Sequence, residues 1–97
     1  MFVRLSIFTP HAEYRDAQAD SMRRFGAAIA GREGVISIRT MLDEASGRLV
    51  GIAIFESEEA ANALLPLAQA AVADDDFDTW AASETDGLRL VDITHPR

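Results

Sequence analysis

Polar and apolar positions alternate at the start of the chain. In FVRLSIF (residues 2–8), Val3, Leu5 and Ile7 point one way and Phe2, Arg4, Ser6 and Phe8 the other, which is the period of a β-strand. The period then changes. Tyr14, Gln18, Met22, Phe25 and Ile29 recur at spacings of three and four and so share one face of a helix. Glu13, Asp16, Asp20, Arg23 and Arg24 occupy its opposite side. Thr9 and Pro10 suit the start of this helix as cap and first-turn residue. GREG (31–34) ends it, because glycine accepts a positive φ at little steric cost.

VISIRTMLDEASGRLVGIAIF (35–55) reads as a β-hairpin. A three-residue loop, Ala45-Ser46-Gly47, with Gly47 in the left-handed region, is a common closure. It predicts Leu42 opposite Val50, Thr40 opposite Ile52 and Ile38 opposite Ile54 on one face. Met41–Gly51, Arg39–Ala53 and Ser37–Phe55 then pair on the other. Ser57 is a good cap for a second helix, with Glu58 and Glu59 in its first turn. Pro66 predicts either a kink or a fresh short helix. DDDFDTW (74–80) is an acidic break with room for one helical turn, and GLRLVDI (87–93) is a last strand.

The order β-α-β-β-α-β predicts an α+β, ferredoxin-like fold with a four-stranded antiparallel sheet, in one domain over residues 1–97. Val3, Leu5, Ile7, Ile36, Ile38, Leu42, Val50, Ile52 and Ile54 are expected beneath the helices. The other face, with Phe2, Arg4, Ser6, Phe8, Ser37, Arg39, Met41 and Phe55, is too apolar to stand in water. A second copy of the chain is expected to cover it and close a dimeric α/β barrel, with Arg and Ser bordering an internal cavity.

Charge and composition narrow the chemistry. The net charge of −7 opposes both nucleic acid and anionic membrane surfaces as partners. All nine basic residues are Arg, so Lys-based Schiff-base or general-base chemistry is excluded. Arg supplies planar, bidentate contacts to carboxylates and phosphates, although genome composition also explains a chain rich in Ala and free of Lys. The absence of Cys removes disulfides, thiolate nucleophiles and Cys-held metals. The chain opens directly on a strand, which leaves a cytoplasmic location as the expectation.

The element order and VISIRTMLDEASGRLVGIAIFESEEAANAL (35–64) resemble the dimeric α/β-barrel proteins, most nearly the antibiotic-biosynthesis-monooxygenase-like group. The resemblance rests on the Gly-ended first helix, the hairpin, and the aromatic–Glu–Ser–Glu–Glu–Ala run that opens the second helix. It implies a homodimer that binds small, aromatic or polyketide-like ligands. Three functions follow from it: cofactor-independent monooxygenation, non-catalytic ligand sensing or dimerisation, and muconolactone-isomerase-like isomerisation. No cofactor is expected. Phe55 stands where many relatives have Trp, and the first strand (residues 2–8) carries Arg4 and Ser6 where oxygenase relatives often have Asn. The lone Asn is Asn62 and the lone Trp is Trp80.

The candidate catalytic residues are therefore His11, as a general base, and Arg39, as an anchor for an enolate or phenolate oxygen. Arg4, Ser6, Phe8, Ser37, Phe55 and Trp80 are the candidate substrate-binding residues. Each has a plainer reading: Arg39 and Arg4 in salt bridges across a dimer, His11 on the surface, Trp80 and Phe77 packed on the sheet edge, Tyr14 in the core. Asp74, Asp75 and Asp76 read as a solvated turn. Two isolated histidines give no metal-ligand spacing.

Overall fold

A computed structural model describes residues 1–95 of the 97. The elements are β1 (Phe2–Phe8), a 3₁₀ turn (Ala12–Tyr14), α1 (Arg15–Ala27), β2 (Val35–Leu42), β3 (Leu49–Phe55), α2 (Glu58–Ala70), α3 (Phe77–Trp80) and β4 (Asp86–Val91). The strands form one antiparallel sheet in the order β2-β3-β1-β4. This is the expected α+β, ferredoxin-like arrangement. α1 packs on β2 and β3, and α2 on β1 and β3, so both cover the same face.

That face is the opposite of the expected one. Phe2 and Phe55 are buried against Ile29 of the segment after α1 and against Ala61 and Ala68 of α2. Leu49 is buried against Ala19 and Met22 of α1, with Phe8 beside them. Phe2, Arg4, Ser6 and Phe8 therefore point toward the helices. Val3, Leu5, Ile7, Val50, Ile52 and Ile54 point away from them, because strand residues alternate. Of the nine residues expected under the helices only Ile38 packs there; Leu42 shares its face but is half exposed, and Ile36 is 55% exposed.

The hairpin explains part of the inversion. Leu42 pairs with Leu49, Thr40 with Gly51, Ile38 with Ala53, and Arg39 with Ile52. The loop is thus Glu44–Gly47, one residue longer than expected. Asp43 sets it: its carboxylate accepts from the Ala45 N–H (3.3 Å) and the Ser46 hydroxyl (2.6 Å), and its carbonyl accepts from the Gly47 N–H (2.7 Å). Such an Asx-type turn closes the hairpin over the four residues after Asp43, whose own N–H still donates to the Arg48 carbonyl at 2.9 Å. A register shift follows between Val35 and Ser37, leaving Ile36 as the extra residue of a bulge. Ser37, Arg39 and Met41 consequently share a face with Val50, Ile52 and Ile54, away from Arg4 and Ser6.

α1 also starts later than Thr9 suggests. Pro10 instead makes an isolated bridge to Ala81, flanked by hydrogen bonds from the His11 N–H to the Trp80 carbonyl and from the Ala82 N–H to the Thr9 carbonyl, both 2.8 Å. A proline cannot donate, so it tolerates this edge position while its neighbours make the bonds. Ser57 caps α2 as expected, accepting from the Ala60 N–H at 3.1 Å. α2 runs through Pro66 as one element, without a fresh start.

The acidic break is more than a solvated turn. Asp75 accepts from the buried Ser21 hydroxyl (2.6 Å) and from Arg24 (2.8 Å), which ties the end of the α2 region to α1. Asp76 caps α3 by accepting from the Thr79 N–H. Of the three consecutive aspartates, Asp74 alone has no side-chain partner among the described residues.

Candidate functional site

Four rows of side chains cross the helix-facing side of the sheet. One end row holds Phe2 and Phe55, the other Phe8 and Leu49. These build two separate buried clusters. The two middle rows cannot fill the space between them. One runs Ile38, Ala53, Arg4, Arg89; the other runs Thr40, Gly51, Ser6, Gly87. The second row carries no side chain larger than threonine. On the helix side Gly26 lies so close to the sheet that a Cβ there would stand 2.7 Å from Ile38 Cγ2.

The result is a cavity of about 320 Å³ between sheet and helices. Phe8, Met22, Phe25, Ile29, Phe55, Leu65 and Phe77 give it an apolar wall. Arg4, Ser6, Gln18, Ser21, Thr40, Gln69 and Thr85 supply its polar groups. No atom lies within 4 Å of a Cβ built on Gly87, so the trough is open toward β4.

Arg4 dominates the electrostatics. Burial first, and then the charge of Arg89 directly across the ladder, push its pKa below the usual arginine value. The guanidinium remains protonated, since even a lowered arginine pKa lies far above neutrality. Arg89 has partners: its Nη2 donates to Glu58 Oε1 (2.6 Å) and Asn62 Oδ1 (3.2 Å), and its guanidinium lies 5.4 Å from the Phe2 ring centroid. Arg4 has no ion pair among the described residues. A half-buried cation beside a second cation, with no anion of its own, is a site of unmet attraction for a negative group.

The sequence candidates divide into two groups. Arg4, Ser6, Phe8 and Phe55 come together in the cavity. Arg39 borders it from the β2 edge, but its guanidinium is exposed and its Nη1 donates to the Ile38 carbonyl at 2.8 Å. His11, Ser37 and Trp80 lie outside the lining. His11 is exposed and Ser37 is on the open face. Trp80 packs edge-on against Phe77, centroids 5.6 Å apart, and it is Phe77 that reaches the cavity. The sequence alone does not mark Gln18 or Ser21 as site residues. Gln18 did carry a signal: it is a polar residue within the apolar stripe of α1.

Fold and cavity together define a ferredoxin-like α+β protein with an arginine-bearing chamber between sheet and helices. Among solved structures, the chain is similar to Rv0793 of Mycobacterium tuberculosis, with a TM-score of 0.80 at 14% identity over 99% of this chain and 98% of that one. It is similar to an antibiotic biosynthesis monooxygenase, with a TM-score of 0.69 at 13% identity, covering 96% and 99%. It is also similar to the heme-degrader MhuD of Mycobacterium tuberculosis, seen with two hemes in its active site, with a TM-score of 0.70 at 16% identity, covering 98% of each chain. The structural match is thus to the group that the sequence resembles, at the level of fold. No family model and no curated protein sequence matches the chain. No helix among the described residues is long and apolar enough to cross a membrane.

Proposed function

We propose that the protein binds a flat, largely apolar anion in this cavity and acts on it as a cofactor-independent monooxygenase, working as a homodimer. The observation that carries the reading is Arg4, a half-buried guanidinium without a counter-ion in an aromatic-lined chamber. A phenolate, enolate or carboxylate on an aromatic or polyketide-like frame supplies the missing charge, and the Phe walls supply contact for the rings.

The chemistry that suits these residues starts from an anion. Arg4 stabilises the oxyanion of a substrate whose adjacent methylene has lost a proton, and so favours that ionised form. The carbanion then donates electrons to O₂, and a carbon–oxygen bond forms. Loss of water leaves a carbonyl: R₂CH₂ + O₂ gives R₂C=O + H₂O. The lining contains no carboxylate and no imidazole, so the proton passes to water rather than to His11. This disfavours the isomerase alternative, which requires a base in the chamber. It is compatible with a binding module that performs no reaction. The lining also offers iron no imidazole, thiolate or phenolate. Haem chemistry of the kind named for MhuD therefore does not fit these residues.

Titration with naphthoate as an anionic aromatic probe tests the reading. The wild-type protein is expected to gain thermal stability, and Arg4→Met is expected to weaken binding by about 10- to 100-fold, the value of a charge-assisted contact. With an oxidisable phenolic substrate, oxygen uptake is expected to rise with the ionisation of the substrate itself. Unchanged naphthoate affinity in Arg4→Met would overturn the reading.

A further inference from the structure

Gln18 presents a problem that the proposed anion does not solve. It projects from α1 into the apolar stripe and is only 2% exposed. Its Nε2 is buried and has no hydrogen-bond partner among the described residues. Its neighbour Ser21 donates its hydroxyl to Asp75, and no hydrogen bond links Ser21 to the amide. Leaving a buried amide unpaired costs about 1–3 kcal/mol. A methionine or leucine would fill the same stripe without that penalty. The residue is therefore poorly explained by packing and well explained by something it binds.

Gln18 and Arg4 line the same cavity from opposite walls, one from the helix and one from the sheet. They differ in chemistry. The guanidinium is charged and donates only; the amide is neutral and offers both a donor and an acceptor. An anionic oxygen is best placed at Arg4. An orphan N–H on a neutral, buried amide suits an uncharged oxygen.

We infer that Gln18 is a specificity-determining residue, and that the ligand carries two oxygen functions: an anionic one held by Arg4 and a neutral hydroxyl or carbonyl read by Gln18. This rests on the reading of the cavity as a ligand site and narrows its substrate class to oxygenated aromatic anions. Purely hydrocarbon acids would seat their charge but leave the amide unpaired. Sites that hydrogen-bond a substrate oxygen reject analogues lacking it, because the buried polar group is then stranded.

The test compares naphthoate with the set of its monohydroxy isomers, by calorimetry, on wild type and on Gln18→Met. At least one hydroxynaphthoate is expected to bind wild type about tenfold more tightly than naphthoate, the effect of one net hydrogen bond. In Gln18→Met that preference is expected to vanish. The ligand-free variant is also expected to melt at a higher temperature than wild type, because the stranded amide is gone. A merely structural Gln18 predicts the reverse, a lower melting temperature with no change in ligand preference. Naphthoate binding that depends on Arg4 but ignores the hydroxyl group in every isomer overturns the role of Gln18 and leaves the cavity reading intact. Failure of naphthoate and of all isomers to bind wild type overturns both.

Discussion

Asp75 joins two parts of the chain through one carboxylate. The Ser21 hydroxyl and the Arg24 guanidinium both donate to it, while Arg24 also holds Asp20 at 2.9 Å. The Ser21 hydrogen bond, ahead of the interaction with Arg24, holds the Asp75 carboxyl below the usual carboxylate range. A carboxyl whose pKa is lower when folded stabilises the fold above its unfolded pKa of about 3.9 and loses that contribution as pH falls through the lower folded value. Thermal unfolding followed against pH is therefore expected to show Asp75→Asn less stable than wild type near neutrality. The two curves should converge under strongly acidic conditions, and parallel curves would exclude the linkage. This role was not legible in the sequence, where three consecutive aspartates carry no mark of which one faces a helix some fifty residues earlier. Arg4 was legible, because a charged residue inside an alternating apolar strand asks for a partner. Gln18 was legible only as an exception within a stripe.

The hairpin shows how one turn governs an element. Gly47 has φ +76°, and a Cβ there would stand 2.5 Å from the Arg15 guanidinium. Gly31, after α1, has nearly the same φ, +77°, with open space where a Cβ would stand. The pair separates conformational strain from crowding. Gly31→Ala is expected to cost about 1–2 kcal/mol, the left-handed penalty alone. Gly47→Ala is expected to cost at least as much, with an added term if Arg15 cannot move aside; denaturant unfolding of the two variants measures the difference. The alternation in β2 and β3 was evident from the chain, but their mutual register was not. Periodicity locates each strand's two faces without saying which face meets which. That choice fell to the hydrogen bonds of Asp43 and to the bulge at Ile36, neither of which has an apolar pattern.

Across the whole molecule, the order of elements and the antiparallel sheet followed from the changes of period, whereas the side the helices cover did not. Both faces of the sheet are apolar, so hydrophobicity alone could not choose. The helices took the face with Gly51, Ala53 and Ser6, where small residues leave depth. The branched aliphatics were left outside: Val3, Leu5, Ile7, Val50, Ile52 and Ile54, with Met41 (50% exposed) and Leu88 (47% exposed) beside them. An open apolar surface of that extent favours a partner surface of the same kind, so the homodimer is proposed through this face rather than through the arginine-bearing one. Light scattering is expected to give twice the 10.5 kDa of one chain for wild type and a single chain for Leu5→Glu. A wild-type monomer at micromolar concentration would exclude it. The shallow row from Thr40 to Gly87 has a consequence of its own. It traverses all four strands, three spacings of roughly 4.8 Å, or about 14 Å. A molecule lying along it is measured by its length. A one-ring compound leaves part of the channel wet, and an elongated fused-ring compound extends to the rim beside β4, so successive homologues should be sorted by their span more than by their girth.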